Sequence, residues 1–402
     1  MMKVVIIGGG AAGMYCAAHI KNHKVTIVEK NEKLGKKLYI TGKGRCNITN
    51  NCDVENIIEN TMSNPYFMYS ALYTCTPQDT ISFFQQEIKT KVERGNRVFP
   101  LSDKSSDIIK ALEKTLRKNN VKIMLNSEVV KIDSNKVILK NKTINADIII
   151  IATGGLSYKT TGSTGDGYKF AKDFGHNITK LYPALVPLTT AEKDIYDLQG
   201  LSLRNIELSV LVNNKIAFKE FGEIIFTHYG ISGPLTLKAS RTLVDKYNSE
   251  IYLSIDLKPA LDINKLDARI LRDFDENKNK AFKNSLNKLL PQKIIPLVIK
   301  RSNIEENKLV NEITKVERKK LVNIIKIFKI TINGNTGYKD AVITCGGIDV
   351  KDIDPSTMES KLVKNLYFIG EVLDVDCYTG GYNLQTAFSM AFLAAQNISL
   401  LP

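Results

Sequence analysis

The run Val4–Met14 (VVIIGGGAAGM) decides the fold of this 402-residue chain. Its four apolar β-branched residues predict a short buried strand, and the glycines that follow predict a tight turn. The spacing of apolar residues from Ala11 to Asn22 predicts a helix. A strand, a G-x-G-x-x-G turn (Gly8, Gly10, Gly13) and a helix, in this order, form a dinucleotide-binding fingerprint. In such a turn, free N–H groups and the positive end of the helix face a pyrophosphate.

An acidic residue in the expected place supports this interpretation. Val25–Val28 is the second apolar run of the chain, and Glu29 follows it directly. A carboxylate at the end of the second strand can accept hydrogen bonds from a ribose diol, and its charge disfavours a 2′-phosphate. The first 29 residues therefore predict a binding site for a dinucleotide.

The composition is that of an ordinary folded protein. Hydrophobic residues make up 43% and charged residues 24% of the chain, which excludes a mainly disordered protein. The formal net charge of +14 is compatible with nucleic acid, membrane surfaces or anionic ligands, but also with a composition that is merely rich in lysine. Six cysteines without a C-x-x-C pair indicate neither a disulfide scaffold nor a metal site. The simplest expectation is a reduced cytoplasmic protein without a membrane segment.

Hydrophobic patterns divide the chain into three parts. Strand and helix patterns alternate up to a boundary near Pro183–Pro187, and Ala146–Ala152 reads as a fully buried parallel strand. Strand-like patterns then continue to about Pro259. The segment 262–330 is helical and basic, with 17 Lys or Arg against 9 Asp or Glu. Because apolar strands return near the end, we expect both chain ends to form one nucleotide-binding domain around an inserted middle domain.

Four further segments favour FAD over NAD as the dinucleotide. Gly35–Asn47 has no hydrophobic period and is predicted to be a loop that wraps an extended cofactor. Ala152–Gly155 forms a turn after the isoleucine strand. Gly370-Glu371, with Asp374 nearby, follows another apolar strand, where acids can bind ribityl hydroxyls. Thr379–Asn383 opens the last helix, whose positive end would stabilise the negative charge of a reduced flavin.

Seven motifs, spread over nearly the whole chain, resemble those of a known flavoprotein family. They are VVIIGGGAAGM (4–14), TGKGRCNITN (41–50), TGSTGDGY (161–168), PALVPL (183–188), FTHYGISGP (226–234), AVITCGGI (341–348) and GEVLDVDCYTGGYNLQTA (370–387). The chain resembles the FAD-binding flavoproteins that include aminoacetone oxidase and 3-dehydro-bile-acid reductases, which are NAD(P)/FAD-dependent oxidoreductases. Lys43 is a departure, since many relatives carry glycine there.

The resemblance implies an α/β fold with a Rossmann-type FAD-binding domain, made of residues 1–187 and 345–402. It implies an insert domain, residues 188–344, with a small β-barrel (188–261 and 330–344) and a helical part (262–329). The predicted FAD-binding residues are Gly8, Gly10, Ala11, Ala12, Gly13, Glu29, Lys30, Lys37, Thr41, Gly42, Arg45, Cys46, Asn47, Val129, Ala152, Thr153, Gly154, Gly370, Glu371, Asp374, Gly381, Tyr382, Asn383 and Leu384.

Four residues are candidates for catalysis, and each has a structural alternative. Cys46 lies beside Arg45, which could lower the pKa of the thiol, or it is a small packing residue. His228 and Tyr229 lie in a turn-rich segment, where histidine could transfer a proton or simply hold the loop together. Tyr382 could pack near the flavin ring or belong to the core.

Taken together, the sequence predicts an FAD-dependent oxidoreductase. We expect hydride transfer between flavin N5 and a small or medium organic substrate of the amine, aminoketone or enone class. No second G-x-G-x-x-G follows a strand, so the redox partner stays open between transiently bound NAD(P)H and O2. Membrane partners are not predicted, and the oligomeric state is not indicated.

An alternative from a different class is an RNA-associated, tRNA-modifying flavoprotein. The basic segment 262–330 could contact phosphates. Its cations alternate with acids, however, and no RNA-binding module is recognisable. The sequence therefore favours a small-molecule substrate over a nucleic acid partner.

Overall fold

The computed structural model describes residues 1–402, which form two compact units. Unit 1 comprises Met1–Ala184 and Tyr338–Pro402, and unit 2 comprises Leu185–Gly337. The boundaries predicted from the sequence are 187/188 and 344/345. The observed divisions are 184/185 and 337/338. The second lies further from its predicted place because the short strand Ile343–Cys345 pairs with Tyr182–Ala184, within unit 1, rather than with the strands of unit 2.

Nineteen strands follow one another along the chain. They are β1 (Lys3–Ile7), β2 (Lys24–Val28), β3 (Thr49–Asn50), β4 (Thr90–Glu93), β5 (Arg97–Pro100), β6 (Lys122–Met124), β7 (Val129–Asp133), β8 (Lys136–Leu139), β9 (Thr143–Asn145), β10 (Ile148–Ile151), β11 (Tyr182–Ala184), β12 (Leu188–Thr190), β13 (Ser202–Val212), β14 (Lys215–Thr227), β15 (Gly230–Ser232), β16 (Ile251–Asp256), β17 (Phe328–Asn335), β18 (Ile343–Cys345) and β19 (Leu366–Phe368).

Twelve α-helices accompany these strands. They are α1 (Ala11–His19), α2 (Lys36–Ile40), α3 (Val54–Glu59), α4 (Tyr69–Thr74), α5 (Pro77–Gln85), α6 (Ser105–Lys118), α7 (Asp166–Asp173), α8 (Pro234–Arg241), α9 (Ile263–Asp275), α10 (Ile295–Ser302), α11 (Lys315–Lys326) and α12 (Tyr382–Ser399).

A five-stranded parallel sheet forms the centre of unit 1, in the order β19-β10-β1-β2-β6. The four isoleucines of β10 are all buried, as expected for a parallel strand that is covered on both faces. Helix α1 joins β1 to β2 and packs against α12. The two chain ends therefore share one hydrophobic core, which confirms the predicted Rossmann-type α/β fold.

Two features of unit 1 show where local sequence does and does not determine structure. Helix α5 begins at Pro77, because Thr76 and Asp79 form a reciprocal capping box. In contrast, α2 lies inside the segment predicted to be a loop. This short helix forms because Gly35 adopts a left-handed conformation before it and because Leu38 is buried in the core.

The last helix carries a buried polar cluster. The Gln385 side chain accepts a hydrogen bond from the Thr49 hydroxyl (2.6 Å) and donates to Ser389 (3.0 Å) and to the carbonyl oxygen of Cys75 (3.1 Å). These bonds satisfy polar groups that would otherwise be costly to bury. No helix of the protein has both the length and the apolar character needed to cross a membrane.

Unit 2 contains a closed six-stranded barrel in the order β12-β15-β14-β13-β16-β17. Residues alternate between buried and partly exposed along β16, as expected for a strand with one face toward a barrel interior. Helices α9 and α10 each pack against α11 and share the hydrophobic core of the barrel. The barrel and the helical part implied by the family resemblance are therefore both present.

Candidate functional site

The turn between β1 and α1 brings two backbone segments into close contact. A Cβ on Gly13 would lie 2.0 Å from the carbonyl oxygen of Gly8, whose own φ is +108°. Only glycine fits both positions without strain. A Cβ on Gly10, by contrast, would meet no atom within 4 Å. The first-turn N–H groups and the positive end of α1 therefore face open space that suits a phosphate.

Glu29, which follows β2, is fixed against this glycine turn. Its Oε2 accepts a hydrogen bond from the Gly9 N–H at 2.7 Å. Its Oε1 accepts from the backbone N–H (2.8 Å) and the side-chain amide (2.7 Å) of Asn31. Because an ionised carboxylate offers about four lone-pair sites, it can still accept from a ligand hydroxyl. The geometry suits a ribose diol.

These groups border a cavity that is lined by unit 1 residues alone. It encloses about 1350 Å³ of space outside the protein atoms, part of it open to solvent. Ile7, Ala152 and Gly370 in its wall mark the carboxyl ends of β1, β10 and β19. Parallel α/β sheets bind ligands at this edge. The lining residues come from both ends of the chain, which suits a dinucleotide bound in an extended form along this edge.

An ion pair in the cavity wall joins distant parts of unit 1. Lys37 Nζ lies 2.6 Å from Glu371 Oε2 and donates to the Ser157 hydroxyl at 2.6 Å. Glu371 Oε1 also accepts from the Thr344 N–H at 2.9 Å and from Ser157 at 3.1 Å. Charge-assisted hydrogen bonds of this kind hold both groups in place. The wall thus presents a cation and an anion to polar groups of a ligand.

Two buried oxygen atoms near these segments have no hydrogen-bond partner in the protein. They are Oγ1 of Thr153, a residue that lines the cavity, and Oδ1 of Asn47, at the end of the Thr41–Asn47 loop. An unpaired buried polar atom costs about 1–3 kcal/mol, so such atoms commonly have a partner in the functional complex. The unpaired Thr153 oxygen in the cavity wall and the open space before Gly10 therefore fit a polar cofactor such as FAD.

The cavity brings together most of the residues predicted to bind FAD. Those that line it are Gly8, Gly10, Ala11, Ala12, Glu29, Lys30, Lys37, Thr41, Val129, Ala152, Thr153, Gly154, Gly370, Glu371, Asn383 and Leu384. They come from seven separate segments of the chain. Their contact with FAD stays a prediction, because proximity to the cavity alone does not test it.

The other predicted residues lie outside the cavity lining. They are Gly13, Gly42, Arg45, Cys46, Asn47, Asp374, Gly381 and Tyr382. Gly13 and Gly381 serve close backbone packing, since a Cβ on Gly381 would lie 2.4 Å from the backbone of Thr49. These two glycines therefore influence the shape of the site without lining the cavity.

Arg45 points toward carboxylates rather than toward the cofactor cavity. Its guanidinium forms an ion pair with Glu93, donates to Asp103 at 2.8 Å and lies 4.3 Å above the ring of Phe99. Cys46 is fully buried, and burial raises the pKa of its thiol to about 12. Arg45 therefore does not activate Cys46, and the structure favours the packing role for this cysteine.

The remaining catalytic candidates lie in different units. His228 and Tyr229 form the hairpin turn between β14 and β15 of unit 2, where His228 is exposed and their rings contact edge to face at 4.7 Å. Tyr382 begins α12 of unit 1, packs partly against the core and donates a hydrogen bond to the Asn56 side chain at 3.3 Å. Tyr382 is thus anchored by its own unit.

Several residues that line the cavity were not among the predicted contacts. They are Asn31, Ser127, Thr161, Gly162, Ser163, Asp166, Phe170, Val342, Ile343, Val375, Thr386 and Met390. The TGSTGDGY motif (161–168) supplies four of them, and an ion pair of 2.7 Å ties its Asp166 to Lys30. The glycine- and hydroxyl-rich composition of this motif is a usable signal in the sequence. The apolar lining residues, such as Phe170 and Met390, have no sequence pattern that marks them as part of a site.

Comparisons with known proteins agree with this site. The sequence profile of the HI0933-like protein Rossmann domain matches residues 2–397. The ribosomal RNA dihydrouridine synthase of Haemophilus influenzae is 35% identical over 98% of both chains. The 3-dehydro-bile acid delta(4,6)-reductase of Clostridium scindens is 29% identical, again over 98% of both chains.

One solved structure shows the same fold at low sequence identity. The 3-ketosteroid delta1-dehydrogenase of Sterolibacterium denitrificans has a TM-score of 0.52 and 12% identity, and the match covers 99% of this chain and 100% of that one. The profile match and the 35% identity extend over nearly the whole chain. This protein therefore belongs to the HI0933-like Rossmann family of FAD-binding oxidoreductases.

Proposed function

We propose that this protein is an FAD-dependent reductase that saturates a carbon–carbon double bond conjugated to a carbonyl group. The observation that carries the proposal is the cavity of unit 1, where the Gly8–Gly13 turn, Glu29 and the start of α12 supply the groups that FAD needs. The names of two relatives support the reaction class. A dihydrouridine synthase and a 3-dehydro-bile acid delta(4,6)-reductase both remove a double bond next to a carbonyl group.

The residues of the cavity have distinct roles in this proposal. FAD that has been reduced by a two-electron donor such as NADH or NADPH would supply a hydride to one carbon of the substrate and return to its oxidised form, while the other carbon receives a proton. The positive end of α12 would stabilise negative charge on the cofactor, since Asn383 and Leu384 in its first turn line the cavity. Lys37 and Glu371 would bind the polar groups that link the two ends of the cofactor.

The second carbon takes a proton. His228 and Tyr229 are the candidates from the sequence for this step, and their role stays a prediction. Cys46 is not proposed, because its buried thiol is shielded from any substrate.

For the substrate, we propose a uridine of ribosomal RNA. The relative with 35% identity carries that activity in its name. The net charge of +14 suits a polyanion, and unit 2 presents exposed lysines on α11 (Lys315, Lys319, Lys320). This substrate corresponds to the RNA-associated alternative from the sequence, now with ribosomal rather than transfer RNA.

A cyclic enone is the second candidate substrate. It is favoured by the relative with 29% identity, which acts on a 3-dehydro bile acid. The same hydride and proton addition would serve either substrate, so the cofactor cavity does not distinguish them. The amine and aminoketone substrates expected from the sequence find no support in the names of these relatives.

The experiment offers both substrates to the FAD-loaded protein without oxygen. Unmodified ribosomal RNA transcript and a 4-ene-3-keto steroid are incubated separately, with NADH, NADPH or dithionite as the reductant. Mass spectrometry of digested RNA detects a uridine that has gained two hydrogens, and the steroid is followed by loss of enone absorbance. We expect RNA reduction with at least one reductant. If reduced protein adds hydrogen to neither substrate, the proposed reaction class is wrong.

A further inference from the structure

Three tyrosines form an exposed row on the surface of unit 1. Tyr66 lies in the turn of 3-10 helix before α4, and Tyr69 and Tyr73 lie on α4 itself. Their side chains are 79%, 43% and 56% exposed, respectively. Large aromatic side chains usually bury most of their surface. Three exposed rings at helical spacing therefore form a feature that core packing does not explain; we call it the tyrosine ladder.

The rings of the tyrosine ladder are nearly parallel. The ring centroids of Tyr66 and Tyr69 are 6.0 Å apart, and their planes are 2° from parallel. For Tyr69 and Tyr73, the centroid distance is 6.2 Å and the angle between the planes is 6°. The hydroxyl of Tyr73 donates a hydrogen bond to the Glu55 carboxylate, which fixes this end of the row. The ladder is thus ordered along its length.

The opposite side of the same segment is anchored in the core. Phe67, Met68, Ala71 and Leu72 are all buried in unit 1. The tyrosines therefore project from a rigid support rather than from a mobile loop. Rigid aromatic groups lose little conformational entropy when they bind a planar partner.

The ladder lies beside a segment that reaches the cofactor cavity. The N–H of Met62 donates to the carbonyl oxygen of Asp376 (2.7 Å), and the Asn64 side chain donates to that of Asp374 (2.7 Å). Val375, between these two aspartates, lines the cavity. The segment that precedes the ladder is thus hydrogen-bonded to a segment that lines the cavity.

We propose that the tyrosine ladder is a stacking platform for unpaired bases of the RNA that flank the reacting uridine. This inference rests on the proposed RNA substrate. Base stacking on aromatic rings is a principal mode of single-stranded RNA recognition and tolerates any sequence. α4 (YSALYT) carries no lysine or arginine, and Glu55 lies at one end of the row. The contact therefore relies on the ring faces rather than on phosphate pairing.

The test measures binding of a fluorescein-labelled 12-nucleotide oligouridylate to the FAD-loaded protein. We expect Tyr69→Ala, which removes the central ring, to weaken binding about 5- to 100-fold. Tyr69→Phe keeps the ring and should bind within about 2-fold of the wild type. Tyr73→Phe removes only the hydrogen bond to Glu55, so its affinity for oligouridylate should also stay within about 2-fold of the wild type. Phe221→Ala, at an exposed aromatic on β14 of unit 2 (58%), is the matched control and should have no effect.

Salt dependence separates stacking from charge effects. Loss of a stacking contact should lower affinity by the same factor at low and high salt, whereas loss of a phosphate contact makes the salt dependence shallower. Equal oligouridylate affinity of wild type and Tyr69→Ala would overturn the platform and leave the ladder as a protein-contact surface. Wild-type protein that binds no RNA would overturn it too, while reduction of the steroid enone would still support the proposed reaction class.

Discussion

Lys37 on α2 and Glu371 after β19 are 334 positions apart in sequence, and their charged atoms meet at 2.6 Å in the wall of the cofactor cavity. Both side chains are only partly accessible, at 24% and 21%. Ser157 contacts both of them, so three distant segments converge on one polar cluster. The cluster joins an early segment of unit 1 to a late one, and a prediction about stability follows from it.

Replacing one partner of this pair should destabilise the protein more than replacing both. Lys37→Met leaves the Glu371 carboxylate without its cation, and we expect the free energy of unfolding to fall by about 1–3 kcal/mol. The double variant Lys37→Met/Glu371→Gln should regain part of this loss, because no unpaired charge remains. Urea unfolding followed by circular dichroism measures each value. Additive losses would contradict the pairing, and Lys110→Met at an exposed position of α6 is the control.

Cys46 should resist alkylation in the folded protein. Burial raises the pKa of this thiol to about 12, so almost none of it is thiolate at about pH 8. We expect native protein treated with iodoacetamide to be modified at the half-buried Cys52 before Cys46, although the pKa of Cys52 is also raised, to about 11. Peptide mass spectrometry locates the label, and urea-unfolded protein shows that both thiols can react. Rapid labelling of Cys46 in native protein would restore it as a candidate nucleophile.

The parts of the site that follow from adjacent residues could be predicted from the sequence. The β1 turn, α1 and Glu29 lie within 29 consecutive residues, where strand, glycine and helix signals reinforce one another. The start of α5 is equally local, because the capping box spans only Thr76 to Asp79. Helix α12 and its buried position likewise follow from a long apolar pattern near the chain end.

The rest depends on contacts between residues that are far apart in the chain. Arg45 meets Glu93 and Asp103, which are 48 and 58 positions away, and no local pattern shows that its guanidinium pairs with these carboxylates. The predicted boundary at 344/345 divides strand β18, because three residues do not reveal which strand they pair with. The apolar lining residues, such as Phe170 and Met390, could not be distinguished from core by sequence alone.

Glu317 should make the stability of unit 2 depend on acid pH. Lys308 and the Thr314 cap lower the pKa of this carboxyl to about 2, from an ordinary value of 4.5. Because the pKa is lower in the folded state, the contribution to stability is present above about pH 4.5 and is lost as the pH falls toward 2. Glu317→Gln should therefore lower the free energy of unfolding by about 0.5–2 kcal/mol at neutral pH and have little effect near pH 2. Urea titrations at both pH values test this, and Glu305→Gln, an exposed acid on the preceding loop, should show no such difference.

Two alanine substitutions in the glycine turn should separate binding from folding. Gly10 has φ −82° and ψ −166°, which alanine also adopts, and its Cβ would meet no protein atom. Gly10→Ala should therefore change the free energy of unfolding of FAD-free protein by no more than about 1 kcal/mol. FAD affinity should nevertheless fall at least about 10-fold, because the methyl group would occupy the space through which a pyrophosphate approaches the backbone.

Gly13→Ala should do the opposite, because its Cβ would lie 2.0 Å from the carbonyl oxygen of Gly8 and must push α1 away from β1. We expect a loss of at least about 1–3 kcal/mol in the FAD-free protein, the usual cost of overpacking. Isothermal titration with FAD and thermal unfolding of the FAD-free form measure the two effects separately. If Gly10→Ala binds FAD as tightly as the wild type, the pyrophosphate does not lie against this turn, and the cavity holds its ligand in another way.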